Sequence, residues 1–133
     1  MKISEIQKQV HALAKDKGWW SETKPNPKER AGLHMLMVSE IAEATECLRD
    51  NQPPIWQNGA LYGDKIEPDS RSFTGEKLWS SSEKPEGELV ELADCIIRIL
   101  DYCEAMGFDL ERAIEIKHKF NVTRAVRHGG KVF

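Results

Sequence analysis

The chain has 133 residues, 40% of them hydrophobic and 31% charged, with a formal net charge of −3. This length fits one domain, covering residues 1–133. Such a domain can bury roughly two thirds of its unfolded surface without needing disulfides or structural metal ions. The small net charge gives no sign of a polymeric nucleic-acid partner. Residues 1–10 are amphipathic and charged and no long apolar run follows, so we expect no signal peptide, no membrane partner and a cytoplasmic location.

The cysteines are odd in number and include no Cys-x-x-Cys pair. Cys47, Cys95 and Cys103 all fall in segments with helical patterning. This usage does not indicate a disulfide framework. We therefore expect buried free thiols, in agreement with a cytoplasmic protein.

Two helices are predicted in the first third of the chain. Apolar residues at helical spacing indicate a first helix over residues 3–17, which Gly18 ends. Pro25 interrupts the pattern that follows. The second helix is predicted from residue 27 or 28 to residue 50, because proline is tolerated in the first turn of a helix.

The second helix carries two carboxylates in a segment that is otherwise patterned for burial. Glu40 falls at the centre of an apolar helical stripe and Glu43 at its edge. The stripe consists of Leu33, Leu36, Met37, Ala44 and Cys47. Residues three apart on a helix are neighbours, roughly 5–6 Å between Cβ atoms, so the two carboxylates can share one partner. Because unpaired charges do not sit in cores, a cation is expected there, and hard divalent ions such as Mg²⁺ take carboxylate oxygens.

Residues 51–86 differ from the rest of the chain because proline, glycine and a serine triplet interrupt every apolar run. A loop of this length is unusual in a compact domain, and it is either a functional lid or poorly ordered. Its apolar side chains indicate that part of it docks on the domain, with a short hairpin as one option. Trp56 and Trp79 are the candidates for lid residues.

A third helix is predicted over residues 87–107, and it carries a second acidic pair, Glu91 and Asp94, at the same i, i+3 spacing. Taken alone, this pair fits the solvated polar face that it shares with Arg98 and Asp101. Taken with the first pair, two helices that each offer two carboxylates can hold one or more Mg²⁺ ions between them. Bridging carboxylates suit two ions about 3.5–4 Å apart.

Asp109 opens a fourth predicted helix, in which the apolar stripe of Leu110 and Ile114 turns cationic. Three polar residues continue that stripe at helical spacing: Lys117, Asn121 and Arg124. The helix dipole favours basic residues at a C-terminus but does not explain cations on a stripe patterned for burial. Both Lys and Arg serve phosphate recognition. Carboxylates for a metal together with cations for phosphate indicate an enzyme that acts on a nucleotide di- or triphosphate.

Four helical segments without convincing alternating strands predict an all-α four-helix bundle with a long irregular insertion between the second and third helices. Short helices with charged inner faces would gain from a partner subunit. We therefore expect a homodimer or a homotetramer.

Four segments carry most of this pattern: Gly18-Trp19-Trp20, SEIAEATE at 39–46, ELADCIIRILDY at 91–102 and KHKFNVTRAVRHGGK at 117–131. In these segments the chain resembles the MazG-like, all-α nucleoside triphosphate pyrophosphohydrolases, especially short single-domain members of bacteria and phages. The resemblance covers most of the chain outside residues 51–86, and this insertion departs from the compact family pattern. The resemblance implies an oligomeric enzyme that splits a (d)NTP at the α–β phosphate bond into (d)NMP and pyrophosphate. Its implied cofactor is Mg²⁺, for which Mn²⁺ could substitute.

Carried over by position, the resemblance also assigns roles to individual residues. The implied metal ligands are Glu40, Glu43, Glu91 and Asp94. The residues implied to contact phosphate or sugar are Lys117, Asn121 and Arg124.

Further roles follow from chemistry. A carboxylate that is not fully engaged by metal can accept the proton of the attacking water, and Glu43, at the edge of its stripe, is the candidate for this base. Trp19 and Trp20 are candidates for a wall on which the nucleobase stacks, or else they are plain helix-packing residues. His128, in the His-Gly-Gly tail, is expected to approach phosphate. Two other histidines are expected at the surface: His34 and His118.

Two alternatives stay open on the sequence alone. A non-catalytic helical module that binds a nucleotide or another protein would need Glu40 and Lys117 only to pair across the core. A di-iron carboxylate bundle would need two Glu-x-x-His motifs, and the sequence has one, from Glu115 to His118. Neither a phosphate-binding Gly-x-x-x-x-Gly-Lys-Ser/Thr loop nor a Nudix signature is present.

Overall fold

The computed structural model describes residues 2–57 and 84–124. Four α-helices account for 72% of these residues, which confirms the prediction of a mainly helical chain. The elements in chain order are α1 (Ile3–Asp16), α2 (Pro27–Arg49), β1 (Trp56–Gln57), β2 (Pro85–Glu86), α3 (Glu88–Met106) and α4 (Leu110–Thr123).

The helices begin where the local chemistry satisfies their first backbone N–H groups. Before α2, the Asn26 side chain accepts a hydrogen bond from the backbone N–H of Glu29 at 2.8 Å, and the Glu29 carboxylate accepts one from the backbone N–H of Asn26. This reciprocal capping box, with Pro27 in the first turn, fixes the start of α2. Asp109 caps α4 by accepting a hydrogen bond from the backbone N–H of Arg112 at 2.9 Å.

The described residues group into two compact units, each with its own small core. The α1/α4 unit contains α1, α4 and residues 100–106 of α3, and its buried apolar residues are Ala14, Leu100, Tyr102 and Cys103. The α2 unit contains α2, both strands and residues 88–99 of α3, and its buried apolar residues are Ala44, Cys47 and Cys95. The three cysteines are buried free thiols, as predicted.

In the α1/α4 unit, a buried polar residue of α1 contacts α3 and the turn after it. The Nε2 group of Gln7 donates to the carboxylate of Glu104 at 2.8 Å and to the backbone carbonyl of Phe108 at 2.9 Å. The turns that end α1 and α3 contain Gly18 and Gly107, with φ of +75° and +73°, in the left-handed region that favours glycine.

In the α2 unit, the chain returns to α3 beside the segment that follows α2. The two strands pair antiparallel, with Trp56 opposite Glu86. Gly87 has a φ of +116°, and a Cβ atom there would lie 2.5 Å from the carbonyl oxygen of Pro54, so that only glycine fits. The same carbonyl accepts a hydrogen bond from the backbone N–H of Leu89 at 2.8 Å. The two ends of the predicted insertion are therefore held together.

Most of the predicted insertion, residues 58–83, lies outside the described residues, as do residues 125–133. The predictions of a lid containing Trp79 and of a phosphate contact by His128 fall on these stretches and stay predictions. Trp56 is described and half-buried, and its indole N–H donates to the Gln52 side chain at 3.0 Å.

Apolar side chains are exposed along α4. The helix has no buried residue, and Ile114 and Phe120 are 44% and 55% exposed. The prediction of a buried stripe along α4 is therefore wrong for the single chain, because Leu110 and Glu111 at the start of the helix are half-buried and all its later residues are exposed. Within the described ranges, no helix combines the length and the apolar composition that crossing a membrane requires.

Candidate metal centre

Three carboxylates converge in the α2 unit. Glu40, Glu91 and Asp94 each offer one carboxylate oxygen, and these oxygens all lie within 4.8 Å of one another. Glu40 comes from the middle of α2 and is buried, whereas Glu91 and Asp94 come from the first turns of α3 and are half-buried. We call these three residues the acidic group. It contains residues of both acidic motifs that the sequence spacing singled out.

The predicted apolar stripe explains the burial of Glu40. Ala44 and Cys47 follow it on the same face of α2, and both are buried with it. Earlier in the stripe, Leu33 and Met37 are half-buried and Leu36 is exposed, so Glu40 is the first fully buried residue of this face. A carboxylate in such a position needs a partner inside the protein, because burying an unpaired charge is unfavourable.

Glu43 is exposed at the edge of the stripe, as predicted, and does not belong to the acidic group. Three residues turn a helix through about 300°, which sets Glu43 to one side of Glu40. A hydrogen bond between the two carboxyl groups, with the negative charge of Glu40, raises the pKa of Glu43. The structure therefore has a solvent-accessible carboxyl group next to the acidic group, and metal ligation by Glu43 stays a prediction.

The crowding of carboxylates is strongest at Glu91, whose pKa is raised to about 7. Burial is the largest cause, followed by the hydrogen bond to Glu40 and by the negative charges of Glu43 and Asp94. Burial and the charge of Glu40 also raise the pKa of Asp94. The acidic group thus retains a proton near neutral pH, in a place where a divalent cation could replace it.

Glu40 forms an ion pair with a cation of α3. The Nε group of Arg98 donates to Oε1 of Glu40 at 2.6 Å. Burial opposes the charged form of Glu40, but hydrogen bonds from Arg98 and from the neighbouring carboxyl groups, with the charge of Arg98, lower its pKa. The non-catalytic alternative predicted Lys117 as the partner of Glu40, and the observed partner is Arg98. Sequence reasoning placed Arg98 on the acidic face of α3 but did not indicate this pairing.

Cys47 lies one turn beyond Glu43 on α2. Burial and the negative charge of Glu91 raise the pKa of its thiol. The thiol is therefore protonated at neutral pH and serves packing rather than nucleophilic chemistry.

The donor set of the acidic group fits a hard divalent cation. All three side chains offer carboxylate oxygens, which Mg²⁺ and Mn²⁺ prefer over sulfur or imidazole ligands. Mg²⁺ is usually held by one or two carboxylates, with substrate phosphates and water completing its shell, so three carboxylates are sufficient. A di-iron site would also need histidine ligands, and the acidic group formed by the described residues includes none.

A second polar cluster lies in the α1/α4 unit, around Asp101 of α3. The indole N–H of Trp20 donates to both carboxylate oxygens of Asp101, and Nδ1 of His11 lies 2.7 Å from its Oδ1. The rings of His11 and Trp20 meet edge to face, with centroids 5.6 Å apart. Of the two candidate tryptophans, Trp20 is thus held in place, whereas Trp19 is 71% exposed. Sequence reasoning did not single out His11, because no local pattern relates it to Asp101.

The three predicted phosphate ligands of α4 also belong to the α1/α4 unit. Lys117, Asn121 and Arg124 are all exposed, so the prediction that they continue a buried stripe is wrong for the single chain. The ammonium group of Lys117 lies over the ring of Phe120, 4.9 Å from its centroid. Two histidines are exposed, as predicted: His34 and His118.

Comparison of the chain with protein-family models, with curated proteins and with solved structures finds no match in any of the three. A functional assignment therefore depends on the geometry of the acidic group and on the motifs of the sequence.

Proposed function

We propose that the chain is a Mg²⁺-dependent nucleoside triphosphate pyrophosphohydrolase of the MazG-like type, folded as a single four-helix-bundle domain. It would cleave the α–β phosphate bond of a (d)NTP and release (d)NMP and pyrophosphate. The observation that carries the proposal is the convergence of Glu40, Glu91 and Asp94 within 4.8 Å. The sequence resemblance supplies the reaction, since a fold or a carboxylate cluster alone does not specify one.

The acidic group would hold the metal ion, with Mn²⁺ able to replace Mg²⁺. When bound, the ion would offset negative charge on the phosphate oxygens and make the attacking water more acidic. The raised pKa of Glu91 supports this assignment, because burial, the hydrogen bond to Glu40 and the neighbouring negative charges all disfavour its ionised form, which a bound cation would stabilise. Glu43 would reach the same ion from the edge of the stripe, or act as the base.

Glu43 is our candidate for the general base. It is exposed, and its carboxyl group is hydrogen-bonded to Glu40, so it lies beside the acidic group without belonging to it. Its raised pKa makes it a stronger base than an ordinary glutamate, which favours proton transfer from the attacking water.

The substrate contacts come from the resemblance. Lys117, Asn121 and Arg124 would bind phosphate or sugar, and their exposure on α4 makes them accessible to a triphosphate. A lysine ammonium and an arginine guanidinium would neutralise the charge that develops on the leaving pyrophosphate. His128 would assist them.

Trp20 is the better candidate for the wall on which the nucleobase stacks. Its N–H edge is fixed by Asp101, so the orientation of the ring is set before a substrate arrives. Trp19 is the second candidate. Any nucleobase could stack on either ring, because stacking does not depend on the hydrogen-bond donors and acceptors of the base.

A homodimer or homotetramer is the expected assembly. Exposed apolar residues on α2 and α4 would be covered by a second copy, among them Val38, Ile41, Ile116 and Phe120. Light scattering on the eluting peak of a gel-filtration column would give two or four times the chain mass of 15.2 kDa. A monomer at micromolar concentration would contradict the proposal.

One observation favours the alternative, a non-catalytic helical module that binds a nucleotide or another protein. The ion pair of Arg98 with Glu40 already neutralises the buried carboxylate without any metal. Such a module would need no divalent ion and would leave a triphosphate intact.

The experiment that separates the two measures pyrophosphate release from the canonical dNTPs and NTPs, with Mg²⁺ or with EDTA. The variants are Glu40→Gln and, as a matched control on the same helix, Glu46→Gln, whose side chain is exposed. Release that requires Mg²⁺, survives in the control and disappears in Glu40→Gln would establish the enzyme. Binding of nucleotide without release from any of them would favour the module.

A further inference from the structure

Arg98 differs from the carboxylate it faces in its access to water. Its side chain is 44% exposed, whereas the side chain of Glu40 is 8% exposed. The contact at 2.6 Å uses Nε, one of the five N–H donors of a guanidinium. Arg98 can therefore leave Glu40 and be solvated again, whereas the buried carboxylate must keep a partner.

The charge of Arg98 acts on more than its direct partner. It lowers the pKa of Glu40, and it also opposes the upward shifts of Glu43 and Asp94. Arg98 is thus a counter-cation for the carboxylates on which a metal ion would bind. Two cations so close to the same oxygens repel each other, and water screens this repulsion only in part next to a buried group.

We propose that Arg98 is an exchangeable counter-cation, which a divalent metal ion displaces from Glu40 and which therefore weakens metal binding. The inference rests on the metal site proposed above. It adds that Arg98 lowers the affinity of this site for the metal ion. In the metal-free protein Arg98 keeps the buried carboxylate paired. On metal binding, one cation replaces another at Glu40.

A different role for Arg98 would have the opposite effect. Groups that hydrogen-bond a metal-ligating carboxylate often orient it, and their removal typically weakens metal binding about 10- to 100-fold. Such orienting partners are held rigidly in their own surroundings. The exposure of Arg98 favours exchange, and the sign of the change in metal affinity distinguishes the two roles.

The test measures the affinity of the protein for Mn²⁺ alone, by calorimetry, for wild type and Arg98→Gln. Working at about pH 8.5 limits competition from protons, because glutamate side chains are then largely ionised. We expect Arg98→Gln to bind Mn²⁺ on the order of tenfold more tightly, because one positive charge is removed next to the ion. Equal or weaker binding by Arg98→Gln would overturn the inference.

The matched control is Arg112→Gln, since Arg112 pairs with Glu115 at 3.2 Å on the surface of α4, a helix that contributes no residue to the acidic group. Its Mn²⁺ affinity should equal that of wild type. Absence of Mn²⁺ binding in wild type and in both variants would instead contradict the proposed metal site itself, so the two failures are distinguishable.

A second measurement uses the wild-type protein and does not depend on how a variant folds. In ¹⁵N NMR spectra, the Nε–H signal of Arg98 reports its hydrogen bond to Glu40. Saturation with Mg²⁺ should move this signal to the position of a solvated guanidinium and leave that of Arg112 unchanged. An Arg98 signal that does not move at saturation would contradict displacement.

Discussion

The indole N–H of Trp20 donates to both carboxylate oxygens of Asp101, at 2.9 Å and 3.0 Å. The same carboxylate lies 2.7 Å from Nδ1 of His11. One side chain of α3 thus joins α1 and the segment after α1 within the α1/α4 unit. Because the acceptor carries a charge, these hydrogen bonds are stronger than those between neutral groups.

Asp101→Asn should destabilise the protein. The change removes the charge and turns one acceptor oxygen into an amide donor, so Trp20 can donate to one oxygen instead of two, and Nδ1 of His11 can no longer donate to the atom that becomes the amide nitrogen. We expect a loss of about 1–3 kcal/mol in the free energy of unfolding, measured by urea denaturation. Asp16→Asn, at an exposed position at the end of α1, is the control and should change stability by less than about 0.5 kcal/mol. A double-mutant cycle with Trp20→Phe that gives no coupling energy would show that the bond does not contribute.

The raised pKa of Glu91 predicts a pH-dependent stability in the absence of metal. The folded protein binds a proton at Glu91 up to about pH 7, whereas the unfolded chain releases it near the ordinary value of 4.5. Stability from this proton is therefore fully present below the unfolded pKa and is lost as the pH rises through the folded pKa. The shifts of Glu43 and Asp94 act in the same direction, and the lowered pKa of Glu40 acts in the opposite one.

Urea denaturation in EDTA between pH 5 and pH 8 checks this prediction on wild type and Glu91→Gln. As the pH rises, the free energy of unfolding of Glu91→Gln should increase relative to that of the wild type, by at most about 1.4 kcal/mol for each pH unit. Glu88→Gln, on the first turn of the same helix and outside the acidic group, should follow the wild type. A difference between wild type and Glu91→Gln that does not vary with pH would remove Glu91 as the titrating group.

Addition of Mg²⁺ should stabilise the protein, because the ion binds the folded acidic group and not the unfolded chain. At a concentration 100 times the dissociation constant, the gain is about 2.7 kcal/mol. Near pH 7 binding should also release a proton, since Glu91 must ionise, so the stabilisation should be larger at pH 8 than at pH 6. Thermal melts with Mg²⁺ and with EDTA measure the gain, and Glu40→Gln should show none. If the wild type melted at the same temperature with Mg²⁺ and with EDTA, the result would argue against a metal site.

Glu43→Gln should keep the fold and the Mg²⁺-dependent stabilisation but lose turnover. The amide cannot accept a proton from water, and general-base catalysis typically contributes about 10²–10⁴-fold to a rate. Steady-state kinetics of pyrophosphate release on a responsive nucleotide would measure the loss. Near-normal turnover would remove Glu43 from the role of base, and loss of the metal-dependent stabilisation would make it a ligand instead.

Gly87→Ala should be strongly destabilising. The new methyl group would lie 2.5 Å from the carbonyl oxygen of Pro54, at a φ of +116° that side chains rarely adopt, and we expect a cost of about 1–3 kcal/mol or more. Gly32→Ala, inside α2 and with nothing within 4 Å of the added Cβ, is the matched control. It should stabilise the protein by about 0.5–1 kcal/mol, because alanine is the better helix former. Similar urea midpoints for the two variants would show that the close approach at Gly87 is relaxed in solution.

The helices and the acidic group could be predicted because their signals are local. Pro27, Gly18 and Gly107 mark helix ends through backbone chemistry, and the spacing of Glu40 within an apolar stripe fixes the face on which it lies. The convergence of Glu40 with Glu91 and Asp94 required one further step, that two helices with matching acidic pairs face each other. That step rests on the unfavourable energy of burying an unpaired charge.

The contacts that sequence reasoning missed join residues far apart in the chain. His11 meets Asp101 and Glu40 meets Arg98 through tertiary packing, for which neither helical periodicity nor local composition contains a signal. The error on α4 has another cause. An apolar stripe shows that a face avoids water, but it does not show whether the cover comes from the same chain or from a second copy.

Because β1 pairs with β2, we expect the position of the acidic group not to depend on the length of the insertion. Because Trp56 lies opposite Glu86, the two chain positions that flank residues 58–83 are adjacent. Closing a longer loop between fixed ends costs only about 0.6 kcal/mol for each doubling of its length. We therefore expect that replacing residues 58–83 by a short turn would leave Glu40 and Glu91 in their places on α2 and α3.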